Sequence, residues 1–440
     1  MRNRAVAAVL VILLILAAAL YLVSRTRQFQ IAATIESAEE AVAERRPEVA
    51  LDRYGEALVL AKEAGDLASQ YLVLFRMGAI HHRGERYPEA RDYYLRSLEL
   101  ARDALDTGFE ARVLHEIGST HMAAGHYDEA DAYYQQALHI RSSMGDRSGV
   151  AATLHEIGSL RMRQDLPQQA IEAYEEALSL RAEIGDDVGR ADTLWALGAI
   201  YHEELREQVQ FRVPTLEIDP AEEAADAARR RAYRDRALEY YDRALSIFSR
   251  AQGHEEKRAA VRGEKGALLL IVRETQEARE ALEESMALRE RLGDDKGVAW
   301  CTHTIASTYH VDGDYDEALE WYRDALAKWR DLDAPSGAAS TLHEMGSVYQ
   351  LMEQWDTAIE HYEEALEIRQ RRLDDPHAAA VTHYEMAQTY RLAGRPELAT
   401  QNYRLALEVA VDLHDVHLAE ACRRWIGIVE MGSEESAEAG

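Results

Sequence analysis

Two patterns of apolar and polar residues divide the chain. The first is an unbroken apolar run, Ala5 to Val23, with no charge, Gly or Pro inside it, Arg2 and Arg4 before it and Arg25 and Arg27 after it. As a helix at ~1.5 Å per residue it spans ~28 Å, about one bilayer core. The second pattern fills the rest of the chain and repeats. A small residue stands at Ala38, Gly78, Gly118, Gly158 and Gly198, and, after one insertion, at Gly266, Ala306, Gly346, Ala387 and Gly427. The step from Gly118 to Gly158 is forty residues, and a fixed period of roughly 20–50 residues marks stacked supersecondary units. Twelve and nineteen positions further on come two more small residues: Ala130 and Ala137, Ala170 and Ala177, Ala318 and Ala325, Ala358 and Ala365, Ala399 and Ala406, with Ala50 and Ala57 in the first unit. Ser97 and Ser285 keep the rule. The first site falls in a helix such as 111–123 and the other two on one face of a second helix such as 128–143. Such sites predict paired helices in close contact, which any larger side chain would push apart.

The turns fit this reading. Within a unit the chain runs Ala123-Ala-Gly-His-Tyr-Asp-Glu-Ala130, and between units it runs Gly145-Asp146, Gly185-Asp186 or Gly293-Asp294. Gly supplies the left-handed residue that ends a helix, and Asp caps the next one. One stretch returns almost unchanged as Val113-Leu-His-Glu-Ile-Gly-Ser119, Thr153-Leu-His-Glu-Ile-Gly-Ser159 and Thr341-Leu-His-Glu-Met-Gly-Ser347. With Gly198-Ala-Ile-Tyr201, Tyr315-Asp-Glu-Ala318 and Tyr133-Tyr-Gln-Gln-Ala-Leu138 the chain shows G-x-x-Y, Y-x-E-A and Y-Y-x-x-A-L in phase. In these residues it resembles the tetratricopeptide repeat in its longer, forty-residue form, like that of the LGN/Pins family and of kinesin light chains. The proline that usually follows the second helix of the thirty-four-residue form is missing. The resemblance covers roughly residues 30 to 431 and implies an all-α fold, a right-handed superhelical solenoid of antiparallel helix pairs, here preceded by one transmembrane helix.

The expected organisation is an N-terminal membrane anchor at 1–27, a solenoid at 28–431 of about nine helix pairs plus a capping helix, and a disordered acidic tail at 432–440. An uncleaved anchor is favoured over a signal peptide cut after Ala17-Ala18-Ala19, because four apolar residues follow those alanines and the run exceeds the ~7–15 residues of most signal-peptide cores. The amine end with Arg2 and Arg4 slightly outweighs Arg25 and Arg27, which puts the solenoid outside the cytoplasm. The insertion falls at about 204–231. Pro214 and Pro220 with alternating apolar residues predict an extended first half, and the Ala/Glu/Arg run from Ala221 prolongs the next helix toward its N-terminus. The sixth unit is degraded, with Leu269 where others have Tyr and Gly263 where others have His.

A formal charge of −29 argues against a nucleic-acid partner, since binding a polyanion relies on neutralising phosphates with Lys and Arg. Cys301 and Cys422 fall at one repeat position three units apart, too far for the ~7 Å that a disulfide allows between Cα atoms.

Candidate chemistry lies beside the first small residue. His115, His155, His303 and His343 stand three positions before it, with Phe75, Trp195 and Tyr384 at the same place elsewhere, and Ser119, Ser159, Ser307 and Ser347 stand one position after it. The resemblance places these positions on the inner, concave face, so His115, Ser119, His155, Ser159, Trp195, His303, Ser307, His343, Ser347 and Tyr384 are the expected partner-binding residues. Some members of the family grip a C-terminal carboxylate with Lys and Asn at two of these positions; His and Ser do not carry that chemistry over. An exposed imidazole near its ordinary pKa of ~6.5 would add pH-dependent charge, and Glu116, Glu156 and Glu344 would favour basic partners if they face the same way. The bland alternative is that His and Ser fill space between neighbouring helices. A metal site fails on distance, because ligands on successive repeats are a helix diameter apart. Asp412, His414, Asp415 and His417 read as a solvated turn, and Asp312-Gly-Asp-Tyr-Asp316 has its Gly misplaced for an EF-hand. No cofactor motif occurs. The expectation is a non-catalytic, membrane-anchored scaffold that binds a protein or peptide segment. Its rivals are a sensor module for a small peptide or ligand, and an enzyme with a site in the insertion.

Overall fold

The computed structural model describes residues 25–210 and 220–438, and every regular element among them is helical. The chain falls into two compact units, Met1–Ala196 and Leu197–Gly440. In the first unit α1 (25–43) is followed by α2 (Pro47–Ala64), α3 (Leu67–Arg83), α4 (Tyr87–Asp103), α5 (Thr107–Ala123), α6 (Tyr127–Met144), α7 (Arg147–Arg163) and α8 (Pro167–Ile184). The unit boundary falls inside α9 (Asp187–Gln210). The second unit continues with α10 (Pro220–Phe248), α11 (Glu255–Ile271), α12 (Thr275–Leu292), α13 (Asp295–Asp312) and α14 (Tyr315–Asp331). After these come α15 (Pro335–Leu351), α16 (Trp355–Ile368) with a π turn at Arg369–Leu373, α17 (Pro376–Leu392), α18 (Pro396–Asp412) and α19 (Val416–Glu438).

Side-chain chemistry starts and stops these helices. Asp66, Asp106, Asp146, Asp186, Asp294 and Asp375 each accept the backbone N–H three residues on, satisfying a donor that the first helical turn leaves free. Gly65, Gly145, Gly185 and Gly293 end the preceding helices at φ of 66°, 71°, 72° and 70°, where a Cβ would be strained.

Five of the pairs are held by a glycine against a tyrosine. A Cβ at Gly118 would lie 2.8 Å from Cδ1 of Tyr134, and the same close approach recurs at Gly78 with Tyr94, Gly158 with Tyr174, Gly198 with Tyr241 and Gly346 with Tyr362. The tyrosine rings are almost wholly buried, as are the alanines of the two later small sites. Where serine replaces alanine, its hydroxyl donates to a carbonyl of the helix before it, Ser97 to Tyr71 and Ser285 to Ala259, both at 2.7 Å. In the degraded sixth unit Gly263 leaves room for Trp300, whose ring would lie 2.8 Å from a Cβ there.

Two expectations need restating. The insertion is not extended from residue 204, because α9 continues through Gln210 with Leu205 buried and Arg206 paired with Glu203. Glu204-Leu-Arg-Glu-Gln are good helix formers, and their propensity outweighs the period-two reading. Pro214 and its neighbours at 211–219 lie outside the described residues, and α10 starts at Pro220, prolonged toward its N-terminus as expected. At the other end α19 runs to Glu438, through most of the stretch assigned to a disordered tail. No helix among the described residues is long and apolar enough to cross a membrane; the run at 5–23, on which the anchor rests, lies outside them.

Candidate functional site

Each of the four histidines sits at a joint between one helix pair and the next. In the first unit the ring of His115, on α5, lies 5.5 Å from that of Tyr134, and its Nδ1 is 3.4 Å from the Arg141 guanidinium and 3.5 Å from the Thr153 hydroxyl of α7. His155 repeats this one period on, with Tyr174 at 5.1 Å and Thr193 at 3.4 Å, while Arg181 donates to Thr193. In the second unit His303 meets Tyr322 at 5.3 Å and Thr341 at 3.0 Å, and His343 meets Tyr362 at 5.2 Å and Arg369 at 3.3 Å.

At His303 the contacts assign the tautomer. Thr341 donates its hydroxyl hydrogen to the Gly337 carbonyl at 2.8 Å, so Nδ1 of His303 must donate to Thr341 and its Nε2 is left as an acceptor. At the other joints an arginine guanidinium lies beside the ring and donates to the threonine hydroxyl and to a backbone carbonyl, Arg141 to Thr153 and Gly149 and Arg369 to Thr382 and Ala378. Trp329 stands where those joints have Arg141, Arg181 and Arg369.

The histidines are half-buried rather than exposed. Burial, with the Arg141 charge second, lowers His115 to about 3; burial and then Arg369 lower His343 to about 4; burial also lowers His303. His115, His303 and His343 are therefore neutral near pH 7, and the expected pH-dependent charge does not come from them. The serines are also engaged. Ser159 and Ser307 lie 2.9 Å from the hydroxyls of Tyr174 and Tyr322, and Ser119 and Ser347 are half-buried at the same place. Trp195 is half-buried in α9, and Tyr384 packs edge-on to Tyr403 at 5.7 Å and receives a hydrogen bond from Gln388. The ten residues thus form two rows at equivalent positions, His115, Ser119, His155, Ser159 and Trp195 in one unit and the other five in the second.

A glutamate follows His115, His155, His343 and Tyr384 and changes the electrostatics of each row. Glu116, Glu156 and Glu385 are half-buried and make no ion pair among the described residues. Burial raises Glu116 and Glu156, the latter also through the charge of Glu116; burial and then the charge of Glu344 push Glu385 up to about 7. Burial acts on Glu344 in the same direction, but hydrogen bonding to His310 and the neighbouring histidines bring it below its ordinary value. Glu385 escaped the sequence reading because Tyr384, not His, precedes it. The arginine 26 residues after His115, His155 and His343 was the signal for the joints.

This architecture of paired helices with a small-residue and tyrosine contact is that of a repeat protein of the tetratricopeptide class. The tetratricopeptide repeat family matches residues 67–143, 149–208, 257–331 and 337–410, and the chain belongs to it. No curated protein matches the chain. Among solved structures it is similar to a signal-transduction ATPase with numerous domains carrying a tetratricopeptide repeat sensor from Pyrococcus horikoshii, at 14% identity and TM-score 0.55, over 87% of this chain and 54% of that one. It is also similar to BtubC from P. vanneervenii, at 17% identity and TM-score 0.38, over 60% of this chain and 89% of that one. A third is a putative kinesin light chain of Podosopora anserina, at 20% identity and TM-score 0.36, over 48% of this chain and 94% of that one.

Proposed function

We propose that this protein is a non-catalytic, membrane-anchored scaffold that binds a basic segment of another protein on the faces carrying the repeated His, Ser and Glu residues. One observation carries the reading: Glu116, Glu156 and Glu385 are half-buried carboxylates without ion-pair partners. A desolvated carboxylate costs stability unless a cation compensates it, and strongly perturbed groups of this kind cluster at functional sites. Arg112, Arg141 and Arg181 offset the burial of Glu116 and Glu156 only in part and no cation among the described residues acts on Glu385, so a Lys or Arg side chain would supply the remaining charge, and the imidazoles offer ring nitrogens for the segment's polar groups. The apolar run at 5–23 with its flanking arginines supports the anchor, with the repeats outside the cytoplasm.

Panning the full chain against a peptide library of mixed charge tests this. Lys- and Arg-bearing segments should be enriched, and the triple variant Glu116→Gln, Glu156→Gln, Glu385→Gln should lose the enrichment. Selection of acidic or uncharged segments, or an unchanged selection by the triple variant, contradicts it.

A further inference from the structure

The geometry points to a carboxylate-binding site in the first unit, in the cavity where the α3/α4 pair meets the α5/α6 pair. This cavity, of about 410 Å³, is walled by Tyr87, Pro88, Arg91, Thr120, His121 and His126 with two alanines, a size suited to a small ligand. Two of its side chains lack partners. His121 is only 7% exposed, and its Nδ1 is buried with no hydrogen-bond partner. Its ring is fixed against Tyr133, with centroids 5.4 Å apart and planes at 18°. Arg91, half-buried on α4, makes no ion pair among the described residues.

The next joint shows what is missing. One period on, the positions of Arg91 and His121 are taken by Asp131 and Arg161, and there Arg161 donates to the Asp131 carboxylate at 2.8 Å and to Gln164 at 2.7 Å. That joint is closed by its own ion pair, with side chains 32% and 17% exposed. The joint of Arg91 and His121 has a guanidinium and an imidazole where the other has acid and base, so the acid is absent and the space is open. Burial and then the Arg91 charge both hold His121 below its ordinary value, with His126 adding to them; the one acid that opposes them, Glu129 of α6, is exposed. One joint earlier His81 has the same partnerless nitrogen, but Leu51 stands where Arg91 does, and the arginine that acts on His81, Arg86, is paired with Glu48 at 3.6 Å. The Arg91 joint is therefore built for a carboxylate from outside: its oxygens take the Arg91 donors beside the His121 ring, as Asp131 takes Arg161, and an apolar body lies on Tyr87 and Pro88. The ligand class is a small carboxylate on an apolar or aromatic body. The site is separate from the carboxylate-lined face and does not depend on the binding of a basic segment there.

Titrating the full chain with benzoate, and with benzyl alcohol as the uncharged counterpart, tests this. Benzoate should bind and raise the melting temperature, and benzyl alcohol should not. Arg91→Ala should weaken benzoate about tenfold or more, the value of one charged hydrogen bond. The double variant Arg91→Asp, His121→Arg installs the ion pair of the next joint, so it should fold at least as stably as the parent and bind no benzoate. Absence of benzoate binding by the parent, equal binding of benzyl alcohol, or undiminished binding by the double variant would each overturn the assignment.

Discussion

The repeated glycine is set by the ring it touches. A methyl at Gly158 would sit 2.8 Å from Tyr174, a side chain 3% exposed with no room to retreat. Gly158→Ala should therefore destabilise the protein by about 1–3 kcal/mol through overpacking. Gly427 shares the register, yet a Cβ there meets nothing within 4 Å, as no second helix follows α19 among the described residues. Gly427→Ala should leave stability unchanged or raise it by up to ~1 kcal/mol through helix propensity. Thermal melts of the two variants check this, and equal losses would show that the glycines are not contact sites. The sequence made these positions visible as small residues in phase. It did not show what each one touches, because Tyr174 lies on a different helix, sixteen residues on. The histidines were legible for the same reason and misjudged for the same reason: their period is local, while the burial that lowers His115, His303 and His343, and the arginine charge that adds to it at His115 and His343, come from packing against later helices.

Among the helices, the clearest link from sequence to structure is the aspartate that opens the first helix of a pair. Asp146 accepts the Gly149 N–H at 2.9 Å, and the turn before it is fixed by Gly145 at φ 71°. Asp146→Ala should cost about 1 kcal/mol, with amide exchange in the first turn of α7 rising more than that in α8; an unchanged exchange rate at Gly149 would show that the cap is idle. Helix ends written in Gly and Asp were readable in this way at four of the joins. The extension of α9 was not, because Val209 and its neighbours alternate like a strand while Glu204 to Gln208 favour a helix, and the burial of Leu205 decides the matter only once tertiary contacts exist.

Across the whole molecule, the proposed basic partner draws on a charge of −29 and the proposed anchor on the apolar run at 5–23. The full chain should stay with membranes through high salt and carbonate, and a chain starting near Arg25 should be soluble; a mature N-terminus at Leu20 would contradict an anchor. Many surface acids are paired with arginine, as in Glu183 with Arg147 and Asp333 with Arg372, and such exposed pairs add little stability. Glu116, Glu156 and Glu385 differ from these in being half-buried and without an ion pair among the described residues. Glu385 makes this costly for the free protein. Its carboxyl is raised to about 7 by burial and by Glu344, so the stability it contributes is present below its unfolded value of ~4.3 and lost as pH rises through about 7. Glu385→Gln should match the parent near pH 4 and exceed it at pH 8 by on the order of 1–3 kcal/mol, a stabilisation obtained at the expense of binding.

The most direct test of the central claim is a calorimetric titration of the full chain with a selected Lys- or Arg-bearing segment at pH 6 and pH 8, in buffers of different ionisation enthalpy. A cation beside Glu385 lowers its pKa, so binding should be tighter at pH 8 than at pH 6 and should release protons near pH 7, and the triple glutamine variant should bind about tenfold or more weakly without proton release. Equal affinity at both pH values, no proton release, and full binding by the variant would contradict the account.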